Sequence, residues 1–143
     1  MTILTKERLA GYGSFVDFLE LQSNGQTRHL AAWADSLLDV YCSITNQYLP
    51  FDPYFAGELD KRATQRLAGD LFGWCAHLAN CRLDANDVAP LINLYIKDPP
   101  VEHLIYEAAL EELRRDLVET ASALATDLLK VWSLGNTCVI EGI

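Results

Sequence analysis

Three aspartates on two predicted helices are the side chains best suited to chemistry in this chain. Asp35 and Asp39 are four residues apart, which places both carboxylates on one helix face with their Cβ atoms about 5–6 Å apart. Asp70 lies on the next predicted helix, between two leucines of its apolar face. If the two helices pack antiparallel, the carboxylates converge, and Mg²⁺ prefers such oxygen ligands. We therefore predict a magnesium site there, the alternative being three solvated surface acids. If the protein is catalytic, we expect Glu58 or Asp60 to supplement the site.

The elements that position these side chains are all predicted to be helices. Apolar residues recur at steps of three and four in five segments: about 5–22, 27–48, 58–82, 86–96 and 101–134. We therefore predict an all-α fold, a four- to five-helix bundle in a single domain over 1–143. Its parts are a four-helix core (1–98), a long C-terminal helix (99–135) and a short extended tail (136–143). The tail is β-prone but alone, so we expect it to lie against the body or to pair with a partner chain.

The last predicted helix is too long for the domain that carries it. Neither proline nor glycine interrupts residues 101–134, and Gly135 and Asn136 close the helix. At about 1.5 Å per residue the helix is about 50 Å long, whereas a compact chain of this size has a diameter of about 37 Å. We therefore expect the helix to bend or to project, and we predict a homodimer. The residues predicted at the interface are Leu117, Leu124, Leu128 and Trp132.

Composition narrows the classes of partner. The chain has 20 Asp and Glu against 11 Lys and Arg, a net charge of −9, which argues against nucleic acid as a ligand. No apolar stretch is long enough to cross a bilayer, and the first residues do not read as a signal peptide, so we expect a cytoplasmic protein with no membrane contact. In that compartment the four cysteines are expected to be free thiols.

Three stretches of the chain follow the pattern of a known helical family. Arg28–Trp33 opens the second predicted helix, and Gly69–Asn80 has an aspartate followed by apolar residues and a Leu-Ala pair. Leu83–Asp87 is then a short acidic connection into another helix. In this order, over about residues 15–98, the chain resembles the MazG-like all-α nucleotide pyrophosphohydrolases.

The resemblance implies a chemistry. Members of that family bind Mg²⁺ through an E-x-x-E pair and an E-x-x-D pair, and they cleave nucleoside triphosphates to a monophosphate and pyrophosphate. Asp70 matches the final aspartate of the second pair, but Leu67 stands where the family has glutamate. The helix of Asp35 and Asp39 has no E-x-x-E pair. The resemblance thus implies a divergent nucleotide-binding protein or pyrophosphohydrolase with a degraded magnesium site.

A function of another class fits the acidic composition as well. A non-enzymatic interaction module, similar to an immunity protein or antitoxin, would mask a basic partner by charge complementarity. The acids expected to form its exposed patch lie on the long helix: Glu107, Glu111, Glu112 and Asp116. The hydrolase needs carboxylates converging in a cleft, whereas the module needs them exposed. A structural dimer without chemistry is the third alternative, and the sequence leaves open whether the protein is an enzyme.

Overall fold

The fold is a four-stranded antiparallel sheet with helices packed on one face, which corrects the predicted all-α bundle. A computed structural model of the chain describes residues 15–46, 57–83, 87–88 and 103–142. In this part of the chain the elements are, in order, β1 (Phe15–Leu21), β2 (Thr27–Ala34), α1 (Asp35–Thr45), β3 (Gly57–Leu59), α2 (Lys61–Asn80), α3 (His103–Ser133) and β4 (Thr137–Glu141). The order of strands across the sheet is β2-β1-β4-β3.

β1 and β2 form a hairpin in the region where the apolar spacing predicts the first helix and the start of the second. Along β1, Val16, Phe18 and Glu20 are buried, and the residues between them are half-exposed. This alternation is the period of a strand with one buried face. The loop after β1 contains Gly25 at a φ of +83°, a conformation that glycine adopts without strain. The predicted helices are therefore wrong over 15–21 and 27–34, and residues 5–14 lie outside the described part.

α2 and α3 are close to their predicted positions, whereas α1 covers only the second half of the helix predicted over 27–48. Asp60 accepts a hydrogen bond from the backbone N–H of Ala63 at 2.7 Å, so α2 begins at Lys61 and not at Glu58. The long C-terminal helix is confirmed as α3, and Gly135 follows it at a φ of +72°. The predicted helix over 86–96 lies outside the described residues except for 87–88. Within the described residues, no helix combines the length and apolar character needed to cross a membrane.

The C-terminal tail is an inner strand of the sheet. β4 pairs with β1 on one side, where Phe18 faces Ile140, and with β3 on the other, where Leu59 faces Cys138. The expectation of a solitary extended tail is therefore wrong, because both of its neighbours come from the same chain. The hydrogen bonds of an inner strand are satisfied on both edges, which ties residues 137–141 to the body.

α3 buries its apolar stripe against the rest of the chain. Leu117, Leu124 and Leu128, which the sequence analysis assigned to a homodimer interface, are at most 1% exposed in the core. Trp132 is half-buried, and the ammonium of Lys61 lies 5.3 Å from the centre of its ring. These three leucines of α3 therefore pack within the core of their own chain. A homodimer stays a prediction, and it would need another surface than these three leucines.

A stack of aromatic rings joins the sheet to the helices. The ring of Tyr41 on α1 lies between Trp33 of β2 and Trp74 of α2, with centroid separations of 5.2 and 4.9 Å. Phe18 of β1 meets Trp33 edge-on at 5.7 Å. The hydroxyl of Tyr41 donates a hydrogen bond to the carbonyl of Leu117 on α3. One buried cluster thus contacts two strands and all three helices of the described part of the chain.

Replacing Trp74 with alanine should therefore destabilise the fold strongly. The side chain is 1% exposed, and its loss removes apolar burial and leaves a cavity beside Tyr41, so we expect the free energy of unfolding to fall by about 3–5 kcal/mol. Urea denaturation followed by far-ultraviolet circular dichroism measures the change. Trp132→Ala is the matched control, because that side chain is only half-buried. Equal losses in the two variants would contradict the assignment of Trp74 to the core.

Candidate functional site

The three predicted magnesium ligands lie on two helices and differ in how far their side chains are exposed. Asp35 is the first residue of α1 and is half-buried, Asp39 is exposed on the same helix, and Asp70 is half-buried on α2. In the part of the chain that the structure describes, no group of three or more His, Cys, Asp or Glu side chains is arranged to hold a metal ion. Binding of Mg²⁺ at these residues stays a prediction.

The two acids proposed as supplementary ligands have other surroundings. Glu58 is exposed on β3, next to Val139 of β4. The carboxylate of Asp60 caps α2. The magnesium site was predicted on the assumption that these acids belong to neighbouring helices of a bundle. In the structure, Glu58 lies instead on the strand β3, and Asp60 caps a helix.

The acids predicted to form a patch on the long helix are partly engaged. Arg114 donates from Nε to Glu111 at 3.4 Å, Glu112 is exposed, and Asp116 is half-buried. The side chain of Glu107 lies outside the described residues. This face of α3 has the character of an ordinary solvated helix surface.

A buried carboxylate fastens the hairpin to the turn before β4. Glu20 is 2% exposed and accepts hydrogen bonds from Nε of Arg28 at 2.9 Å and from Nδ2 of Asn136 at 3.0 Å. The bond from Asn136 lowers the pKa of Glu20, burial opposes this, and Arg28 lowers it further. Glu20 is therefore held ionised in a structural role.

A cavity of about 260 Å³ opens beside Asn136, the residue that is hydrogen-bonded to Glu20. It lies between the start of α2 and the turn that joins α3 to β4, and its lining consists of residues 58–61 and 135–137. Asn136 contributes to the wall while its side chain is fixed by Glu20. The cavity therefore borders the sheet on the side of β3.

The face of the sheet turned away from the helices carries apolar and acidic side chains together. Leu19, Leu21 and Val139 are half-buried there, and none of the three belongs to the hydrophobic core. Register places Leu19 beside Val139 in neighbouring strands. The three side chains form a small apolar patch outside the core on this face of the sheet.

Acidic side chains border this patch. Asp17 and Glu141 face each other across β1 and β4, and Glu58 lies beside Val139 on the other flank. The alternation along each strand places these carboxylates on the same face as the patch. His29, one strand away, lies with Nε2 at 3.0 Å from Oδ1 of Asp17. We call these acids, with Leu19, Leu21 and Val139, the outer face.

Comparison of the chain with protein-family models, with characterised proteins and with solved structures finds no match. The candidate site therefore rests on the geometry of this chain. The resemblance to the MazG-like family is neither supported nor refuted by these comparisons. The helical bundle that it implies, however, is not the fold of the chain.

The outer face could not be predicted while residues 15–21 were expected to be helical. The alternation of buried and half-buried residues along Phe15–Leu21 and Thr137–Glu141 is a property of the structure. The residue types of these segments do not alternate between apolar and polar, so the sequence carries no clear strand signal there. Even with both strands recognised, the register between them is needed to bring Asp17 to Glu141. That pairing joins residues more than a hundred positions apart in the chain.

Glu20→Gln should destabilise the protein in a pH-dependent way. The folded-state pKa lies below its ordinary value of 4.5, so the ionised carboxylate stabilises the fold fully above about pH 4.5 and loses this effect as the pH falls through the folded-state pKa. We expect the variant to be less stable by about 1–2 kcal/mol at pH 7. The difference from the wild type should shrink below pH 4.5. Urea denaturation at a series of pH values measures it.

The exposed residue Glu58 provides the control for this experiment. Glu58→Gln removes a carboxylate from the same sheet without touching a buried pair, so its effect at pH 7 should be within about 0.5 kcal/mol of zero. A Glu20→Gln effect that stays constant down to pH 3 would show that the carboxylate contributes through packing and not through its charge.

Proposed function

We propose that the chain is a non-enzymatic protein-interaction module whose outer face binds a basic protein. The observation that carries this proposal is the position of Leu19, Leu21 and Val139. These side chains are half-buried on a sheet face, outside the core. The carboxylates of Asp17 and Glu141 lie at one end of them, and Glu58 lies beside Val139. Apolar area supplies affinity on desolvation, and a rim of one charge selects partners of the opposite charge.

The charge of the whole chain supports a basic partner. With a net charge of −9 the molecule attracts cationic proteins from a distance, and this long-range attraction raises association rates at low salt. Glu58 and Glu141 are both exposed near Val139, one beside it on β3 and the other two residues further along β4. A lysine or arginine of a partner placed over this part of the sheet can form an ion pair with either carboxylate.

The sequence-based alternative of nucleotide hydrolysis depended on a helical bundle. Its ligands were expected on neighbouring antiparallel helices, and part of that predicted bundle is a sheet. No observation on the described residues favours a nucleotide over a protein as the ligand. We therefore take binding of a basic protein as the leading function.

A photo-cross-linking amino acid at position 139 should identify the partner in cells of the source organism. We expect it to join the chain to one protein, through a segment rich in lysine or arginine, because position 139 lies at the centre of the outer face. The same amino acid at position 112, exposed on α3, is the matched control and should not capture that protein. Mass spectrometry of the cross-linked peptides measures the outcome.

Binding of the purified partner then tests the surface directly. Glu58→Lys should weaken binding by about tenfold, because it reverses a charge on the rim of the outer face, whereas Glu112→Lys makes the same charge change on α3 and should have little effect. An acidic captured segment, or equal loss of binding in the two variants, would overturn the proposed function.

A further inference from the structure

We infer that the segment bound by the outer face is an amphipathic α-helix with lysine or arginine beside its apolar stripe, and not a β-strand added to the edge of the sheet. This inference rests on the proposed function and specifies the secondary structure of the partner. It follows from the condition of the two sheet edges and from the spacing of side chains on the outer face.

Both described edges of the sheet are poor templates for an added strand. The register between β1 and β2 shifts after Phe18, which leaves Leu30 as an extra residue in a bulge on the edge strand. Arg28 and His29 are exposed next to this bulge. The opposite edge strand, β3, is only three residues long. Bulges, charged side chains and short edge strands all oppose pairing with another chain.

The apolar residues of the outer face suit the repeat of a helix. Leu19 and Leu21 are two positions apart on β1 and therefore about 6.8 Å apart along the strand. Residues four apart on a helix rise by about 6 Å, so one apolar stripe can cover both leucines. Val139 lies beside Leu19 and widens the contact to a second strand. The inner face of the same sheet already packs on helices.

The carboxylates are placed to receive basic residues at the border of that stripe. Asp17 and Glu141 form a pair two residues further along the strands than Leu19 and Val139, which is about one turn of a bound helix. Glu58 lies to the side of Val139. A helix with one cation a turn beyond its apolar contacts, and another at its flank, reaches Glu141 and Glu58. The facing histidine, His29, is already hydrogen-bonded to Asp17.

Two synthetic peptides distinguish a helical from an extended partner. Both have about 15 residues and the same numbers of leucines and lysines, but one has the heptad pattern of an amphipathic helix and the other alternates strictly. We expect the helix-pattern peptide to bind the full chain at least about tenfold more tightly in calorimetry at physiological salt. Amide shifts in nuclear magnetic resonance spectra should change at Leu19 and Val139.

Variants of the chain assign the binding to the outer face. Glu58→Lys should weaken binding of the helix-pattern peptide by about fivefold or more, and Glu112→Lys should change it by less than about twofold. Val139→Lys, checked for folding by circular dichroism, should reduce binding further because it also removes apolar contact. Light scattering on the chain alone shows whether a second copy occupies the face.

Each other result overturns the inference in a recognisable way. Tighter binding of the alternating peptide, with shifts along β2 or β3, would mean strand addition and leave the proposed function intact. Equal binding of both peptides, weakened alike by Glu58→Lys and Glu112→Lys, would mean attraction by net charge alone. A dimer that buries Val139 would replace the helical partner with a second copy. Failure of both peptides, together with no basic partner cross-linked at position 139, would remove the proposed function as well.

Discussion

Tyr41 lies between Trp33 and Trp74, with its ring stacked on both and its hydroxyl bonded to the carbonyl of Leu117. The sheet, α1, α2 and α3 therefore meet at one side chain. An aromatic ring provides both the large apolar area needed to fill this junction and a polar group that reaches a helix backbone. The positions of the helices on the inner face follow from this contact. They leave the opposite face of the sheet to carry the leucines, the valine and the acids of the outer face.

Polar contacts near the ends of the elements complete the arrangement. Arg114 of α3 donates from Nη1 to the carbonyls of Leu78 and Cys81 at the end of α2, where backbone acceptors and the helix dipole favour a cation. At the other end of α3, Asn136 reaches the buried carboxylate of Glu20. The first contact fixes α3 against α2, and the second fixes the turn after α3 against the hairpin. β4 is thereby held in register between β1 and β3, and this register assembles the outer face from residues of three strands.

The helices were predictable from sequence to the extent that their apolar pattern is long and regular. α2 and α3 repeat their apolar residues over many turns, so the local pattern places both to within a few residues, although it misses the cap of α2 at Asp60. The strands are short, and Phe15 to Leu21 fits the helical and the strand period equally well over so few residues. Residues 15–21 form a strand because they pair with β4. That contact joins segments distant in sequence, so a local pattern cannot predict it. The site was missed for the same reason, since Asp35 and Asp39 are near one another along the chain whereas Asp17 and Glu141 become neighbours only through the sheet.

The charge of the outer face also determines which partners it excludes. Two copies of this surface brought face to face would place the carboxylates of Asp17, Glu58 and Glu141 near one another, and like charges at a desolvated contact cost several kcal/mol. Self-association through the apolar patch is thus opposed by the same acids that attract a cation. The bulge on β2 and the shortness of β3 oppose edge-to-edge association in a similar way. The partner we propose, a helix with basic residues beside an apolar stripe, would meet neither of these two obstacles.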